Sequence, residues 1–110
     1  RAAATRRARD GATWQARAMQ LRAEGRMREA RSAFARGIER FPDHLPLYHA
    51  WAVMEAEAGN ATRARGIFQR AAWVRPMHPD SVGLWTSWAL HEERAGDVEH
   101  ARECLRSALR

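Results

Sequence analysis

The stretch LYHAWAVMEAEAGNATRARGIFQRAAWVRP, residues 47–76, decides the architecture. Its Tyr48, Gly59, Ala64, Phe68 and Pro76 stand 34 positions after Trp14, Gly25, Ala30, Phe34 and Pro42. Another 37 positions on come Trp85, Gly96, Ala101 and Leu105, and the chain ends before the next proline would recur. A period of this length marks stacked helical hairpins, units that cannot bury their apolar faces alone. The sequence therefore predicts an all-α fold: an α-solenoid of antiparallel helix pairs, three repeats and about six helices. The repeats lie near 12–45, 46–79 and 81–110, with 1–10 as the end of a preceding helix.

Within the quoted unit, Leu47, Trp51, Met54 and Ala58 form a stripe at helical spacing, and Tyr48, Ala52 and Glu55 occupy overlapping positions. Gly59 falls where a left-handed residue ends a helix, and Asn60 where a side chain caps the next one. Gly96-Asp97 repeats this device, whereas Gly25-Arg26 lacks the polar cap. Second helices are expected over about 27–40, 61–74 and 98–110. Their inward faces are Ala30, Phe34 and Ile38, then Ala64, Ile67, Phe68 and Ala71, then Ala101, Leu105 and Ala108. Small residues recur at matching crossing points (Ala18, Ala52 and Ala89; Ala30, Ala64 and Ala101), where they let helices approach closely. The longest loop is 75–81, which holds the three extra residues and offers Asp80 or Ser81 as a cap.

Composition narrows the class of function. With 110 residues, 45% of them hydrophobic, the chain can bury one core. No apolar run approaches the roughly 18 residues that a membrane span needs, and no secretory signal is visible. Cys104 is the single cysteine, so an internal disulfide is ruled out and a reducing or organellar compartment is expected rather than secretion. At its helical position it reads as a small packing residue. All 19 basic residues are arginine, and with the abundant alanine this fits GC-rich codons. The charge is uneven: residues 1–42 carry eleven arginines against four acids, 43–79 are nearly balanced, and 80–110 carry four arginines against six acids. Basic charge gathered at one end is what a polyanion-facing surface would need.

Both ends of the repeat pattern read as unfinished. The chain stops inside its last expected helix, yet a terminal repeat needs an outer face that tolerates water. The expectation is a longer array, a covering partner, or self-association through the uncapped repeat ends.

The pattern Trp-x2-aromatic-x3-Glu-x3-Gly-x4-Ala-Arg resembles the half-a-TPR (HAT) repeat. The second unit shows it in Tyr48, Trp51, Glu55, Gly59 and Ala64-Arg65; the third in Trp85, Trp88, Glu92, Gly96 and Ala101-Arg102. The first unit has Arg17 and Leu21 in place of the second aromatic and the glutamate, and looks like an ordinary tetratricopeptide repeat. The likeness spans about residues 12–110. The runs from Trp51 and Ser87 look most like chloroplast HAT factors that mature or stabilise messenger RNA. What the resemblance implies is an RNA-processing module in the chloroplast, or otherwise the nucleus or cytoplasm.

From this come two expectations for partners. Single-stranded RNA would lie along the array, held by arginine–phosphate contacts; alternatively, the chain is a protein-binding scaffold within a ribonucleoprotein or other complex. The contact candidates are Arg6, Arg7, Arg9, Arg22, Arg26, Arg28, Arg31 and Arg36, since guanidinium forks match phosphate oxygens. Trp73, which recurs in no other unit, is the surface aromatic. Trp14, Tyr48, Trp51, Trp85 and Trp88 are repeat positions, expected to pack. Glu55 with Arg65, and Glu92 with Arg102, share a ten-residue separation and are expected to pair across the two helices of one hairpin. Arg31 would then lack a glutamate, Leu21 standing in its place, and be free to bind something else.

Catalytic, cofactor and metal residues are expected to be absent. The histidines at 44, 49, 78, 91 and 100 lack an i, i+4 ligand spacing, Cys104 has no second thiol, and no glycine-rich phosphate loop follows a strand. Glu92 and Glu93 point to different sides of a helix, a poor acid–base couple.

Overall fold

Every expected hairpin forms. In a computed structural model that describes residues 10–74 and 81–108, the helices are α1 (Gly11–Ala23), α2 (Met27–Arg40), α3 (Leu45–Glu57), α4 (Ala61–Val74), α5 (Ser81–Arg94) and α6 (Val98–Ala108). No strand occurs among the described residues. The helix expected before residue 10, the 75–80 loop and residues 109–110 lie outside them.

Local chemistry sets the boundaries. The Asp10 carboxylate accepts the Thr13 N–H at 2.7 Å to start α1, and Asp97 accepts the His100 N–H at 3.0 Å to start α6. Arg26, as expected, gives α2 no side-chain cap. Each first helix closes on a glycine of positive φ: Gly25, Gly59 and Gly96 at +79°, +87° and +91°. The following N–H then reaches back to the carbonyl five residues earlier, Asn60 to Glu55 at 2.9 Å and Asp97 to Glu92 at 2.8 Å. This Schellman closure ties the residue after the glycine to the glutamate position. Asn60, expected to cap α4, instead donates its side-chain amide to Glu55 at 2.8 Å.

Helices α1, α3 and α5 pack side by side as the first members of their hairpins, and α2 and α4 each pack onto the first helix of the next unit. The crossing-point alanines Ala18, Ala30, Ala52, Ala64, Ala89 and Ala101 are all buried. Around them Phe34, Phe68, Leu47, Met54 and Leu84 fill the core. Gly37 makes a close approach that the repeat pattern did not announce: a Cβ there would meet Trp14 Cβ at 2.9 Å and Leu47 at 3.1 Å. Cys104 is buried packing, its thiol pushed up to about 12 by burial and by the nearby charges of Glu92, Glu103 and Asp97.

One inward residue is a correction. Leu105 occupies the place of Phe34 and Phe68 but is 45% exposed, because no later helix covers α6 as α3 covers α2.

Candidate functional site

The pairing of the glutamates overturns the sequence reading. Glu55 does not pair with Arg65, nor Glu92 with Arg102. Glu55 accepts Arg31 Nε at 2.8 Å and Nη2 at 3.2 Å, and Glu92 accepts Arg65 Nε at 2.8 Å together with its Nη2. Each arginine belongs to the second helix of one hairpin and each glutamate to the first helix of the next. The pair therefore joins successive repeats instead of bracing one. Arg31, expected to be free, is thus engaged, and Arg102 is the arginine of the series without a buried glutamate; it pairs only with exposed Glu99 of its own helix.

Both carboxylates are fully buried and well supplied with donors. Trp51 Nε1 donates to Glu55 at 3.0 Å and Trp88 Nε1 to Glu92 at 2.9 Å, each from one turn earlier. The rings of the same tryptophans stack on the preceding unit, Phe34 on Trp51 at 6.2 Å and Phe68 on Trp88 at 6.0 Å. Burial pushes the Glu55 and Glu92 carboxyls up, but hydrogen bonds from Arg31, Asn60 and Trp51, and from Arg65 and Trp88, outweigh it. Glu55 is held below the usual carboxylate range and Glu92 down to about 2.

The arginines proposed for phosphate are largely engaged within the protein. Arg22 pairs with Glu57, and Arg26 with Glu24 and Glu29. Arg36 lies 5.4 Å over the Trp14 ring, with Arg17 at 5.8 Å. Arg28 is exposed and has no partner among the described residues. Arg6, Arg7 and Arg9 lie outside those residues. Trp73 is 84% exposed, a surface aromatic as expected, and borders a cavity of about 700 Å³ with Trp85, Trp88, Arg70 and Glu103.

A feature missing from the sequence reading runs along the first-helix layer. Gln15, Met19 and Arg22 of α1, with Pro46, His49 and Val53 of α3, line a hollow of about 290 Å³. Val53 also borders the next, about 390 Å³, with Glu57, Ser87, Leu90, His91 and Arg94. Met19 and Leu90 are 44% and 46% exposed there. His49 Nε2 and Ser87 Oγ lie 2.6 Å apart and join α3 to α5; burial holds the imidazole below its usual range. His91 is buried at the edge of the second hollow, and its Nε2 has no partner among the described residues. The sequence carried one signal for this groove, namely apolar residues such as Met19 and Leu90 set off the core stripe.

Folding also gathers Glu92, Asp97 and His100, whose ligand atoms lie within 4.8 Å of one another, although no spacing announced it. Glu92 already accepts the Arg65 guanidinium, and His100 Nδ1 sits 3.3 Å from it. A cation there would have to displace that arginine, so the cluster is accounted for by ion pairing.

Residues 11–54 match the tetratricopeptide repeat family. No curated protein matches the chain. The match covers the first hairpin and the helix that follows it. Together with six helices in three pairs it supports a TPR-like helical-repeat module of the kind that holds protein partners, and none of the described helices is long and apolar enough to cross a membrane.

Proposed function

We propose that this chain is an interaction scaffold whose first-helix groove binds an amphipathic peptide or helix of a protein partner. The observation that carries this reading is the continuous open strip from Met19 through Val53 to Leu90, with Arg22, Glu57 and Arg94 along it and the unpaired His91 nitrogen at its edge. Apolar anchors flanked by polar groups are how a groove takes a helix. RNA binding in messenger processing or maturation, in the chloroplast or elsewhere, is the second reading. It draws support from the arginine excess of residues 1–42 and from exposed Arg28 and Arg36.

Peptides selected from a displayed library against the full chain separate the two. Groove binders should lose about tenfold in affinity on Leu90→Glu, the scale of a modest anchor residue, and be indifferent to Arg28→Ala and Arg36→Ala. The scaffold reading fails if the selected peptides ignore Leu90→Glu. It gives way to RNA if single-stranded oligouridine binds with a steep salt dependence that the two arginine substitutions reduce.

A further inference from the structure

Helix α6 turns to solvent the residues that α2 and α4 keep under the next helix. We infer that this outer face of α6 is a docking surface for a partner-protein helix that carries an aromatic residue followed four positions later by a glutamate. The chain holds two worked examples of this interface. On α2, Arg31 and Phe34 receive Glu55 and Trp51; on α4, Arg65 and Phe68 receive Glu92 and Trp88. Each time the incoming helix places its tryptophan and glutamate one turn apart on one face, and the indole N–H completes the carboxylate's hydrogen bonds.

On α6 the equivalent positions are Arg102 and Leu105. The Arg102 side chain is 61% exposed, against 31% for Arg31 and 42% for Arg65. Its pairing with Glu99 is a surface contact three residues back in its own helix, of the kind that contributes little and yields readily to a better partner. Val98, a turn before Arg102, adds exposed apolar surface. The arginine fixes the charge of the occupant, and the leucine fixes the ring that lies against it.

A second copy of this chain does not meet these terms. The helix it would bring head to tail is α1, which has Arg17 and Leu21 where α3 and α5 have tryptophan and glutamate. Arg17 would face Arg102, with no carboxylate to separate them. The face is also distinct from the first-helix groove and does not depend on what that groove binds.

The test uses the full chain and a fluorescein-labelled, hydrocarbon-stapled helix with the sequence of residues 45–60. Its tryptophan and glutamate are those of Trp51 and Glu55. Anisotropy titration should show binding that Arg102→Ala weakens about tenfold, as loss of a hydrogen bond to a charged group implies. Replacing the peptide's glutamate by glutamine should weaken it as much, and the two changes together should cost little more than either alone. Leu105→Asp, a substitution at an exposed site, should abolish binding while leaving the circular dichroism unchanged. Absence of binding, or equal binding by the Arg102→Ala chain or the glutamine peptide, overturns the inference. So does a dimer of the unmixed chain in sedimentation velocity that Arg102→Ala dissociates, because the occupant would then be a second copy.

Discussion

The two buried glutamates occupy equivalent places and are satisfied differently. Glu55 receives two arginine bonds, one indole N–H and the amide of Asn60, with Arg63 3.9 Å away. Glu92 keeps the arginine and the indole, but Asp97 replaces Asn60 and His100 replaces Arg63. The first site closes with a neutral donor. The second has an extra carboxylate, which is also the N-cap of α6, and an imidazole beside it. The repeat has thus held on to what joins neighbouring units, the arginine–glutamate pair and the indole, and varied the residues that complete the carboxylate's shell. Repeat stability is set by such nearest-neighbour terms, so the two sites should respond differently to the same change.

The largest effect is expected from Glu55→Ala and Glu92→Ala. Either leaves a part-buried guanidinium and a tryptophan N–H without an acceptor, and breaking a buried pair from one side costs about 3–5 kcal/mol. Urea unfolding followed by circular dichroism measures it. The comparison adds a second readout. Glu55→Ala cuts between the first and second hairpins, whereas Glu92→Ala loosens the third alone. In the latter, fluorescence that reports Trp85 and Trp88 should change at lower urea than helicity does. A loss below about 1 kcal/mol, the range of exposed pairs, would mean that the pairs do not hold the stack.

Acid should act on both sites, and on Glu92 by a definable amount. Its carboxyl is held down to about 2 from an ordinary value of 4.5. A group whose pKa falls on folding adds stability that is fully present above the unfolded value and drains away as pH drops towards the folded one. The window is therefore about pH 5 down to 2, and the contribution is about 3 kcal/mol at neutral pH. Glu55 is shifted in the same direction. Urea midpoints at pH 6 and pH 3 should differ less in Glu92→Gln than in the parent, with part of the slope remaining because Glu55 still titrates. An unchanged slope would take Glu92 out of the acid response.

These sites also mark where the sequence was legible and where it was not. Helix boundaries, glycine turns and crossing-point alanines were readable because each depends on residues close in sequence or fixed by the period. The ion pairs were misassigned because a common ten-residue separation suggests one hairpin, while the geometry sends the second helix's arginine to its neighbour. The corrective signal was present. The first unit has the arginine but no glutamate, so pairing forward leaves Arg102 over, whereas pairing within a unit leaves Arg31. Leu105 was misread for the same reason, an inward face being inward only under a following helix. The groove was hidden because its residues, from Met19 to Leu90, are brought together by packing of α1, α3 and α5 and share no period.

The smallest effect tests the comparison most directly. Asp97→Asn would give the second site the side chain of the first. Asparagine caps a helix about as well as aspartate, so the start of α6 should survive. The change removes a carboxylate from beside Glu92 and offers an amide where Asn60 offers one to Glu55. A net gain of about 1 kcal/mol, the worth of one added hydrogen bond, is expected in the urea midpoint. The converse, Asn60→Asp, removes a donor from buried Glu55 and sets a like charge against it, so it should cost at least as much. Should Asp97→Asn destabilise instead, the acid is needed to hold His100 against Glu92, and the second site is a self-contained network rather than a weaker copy of the first.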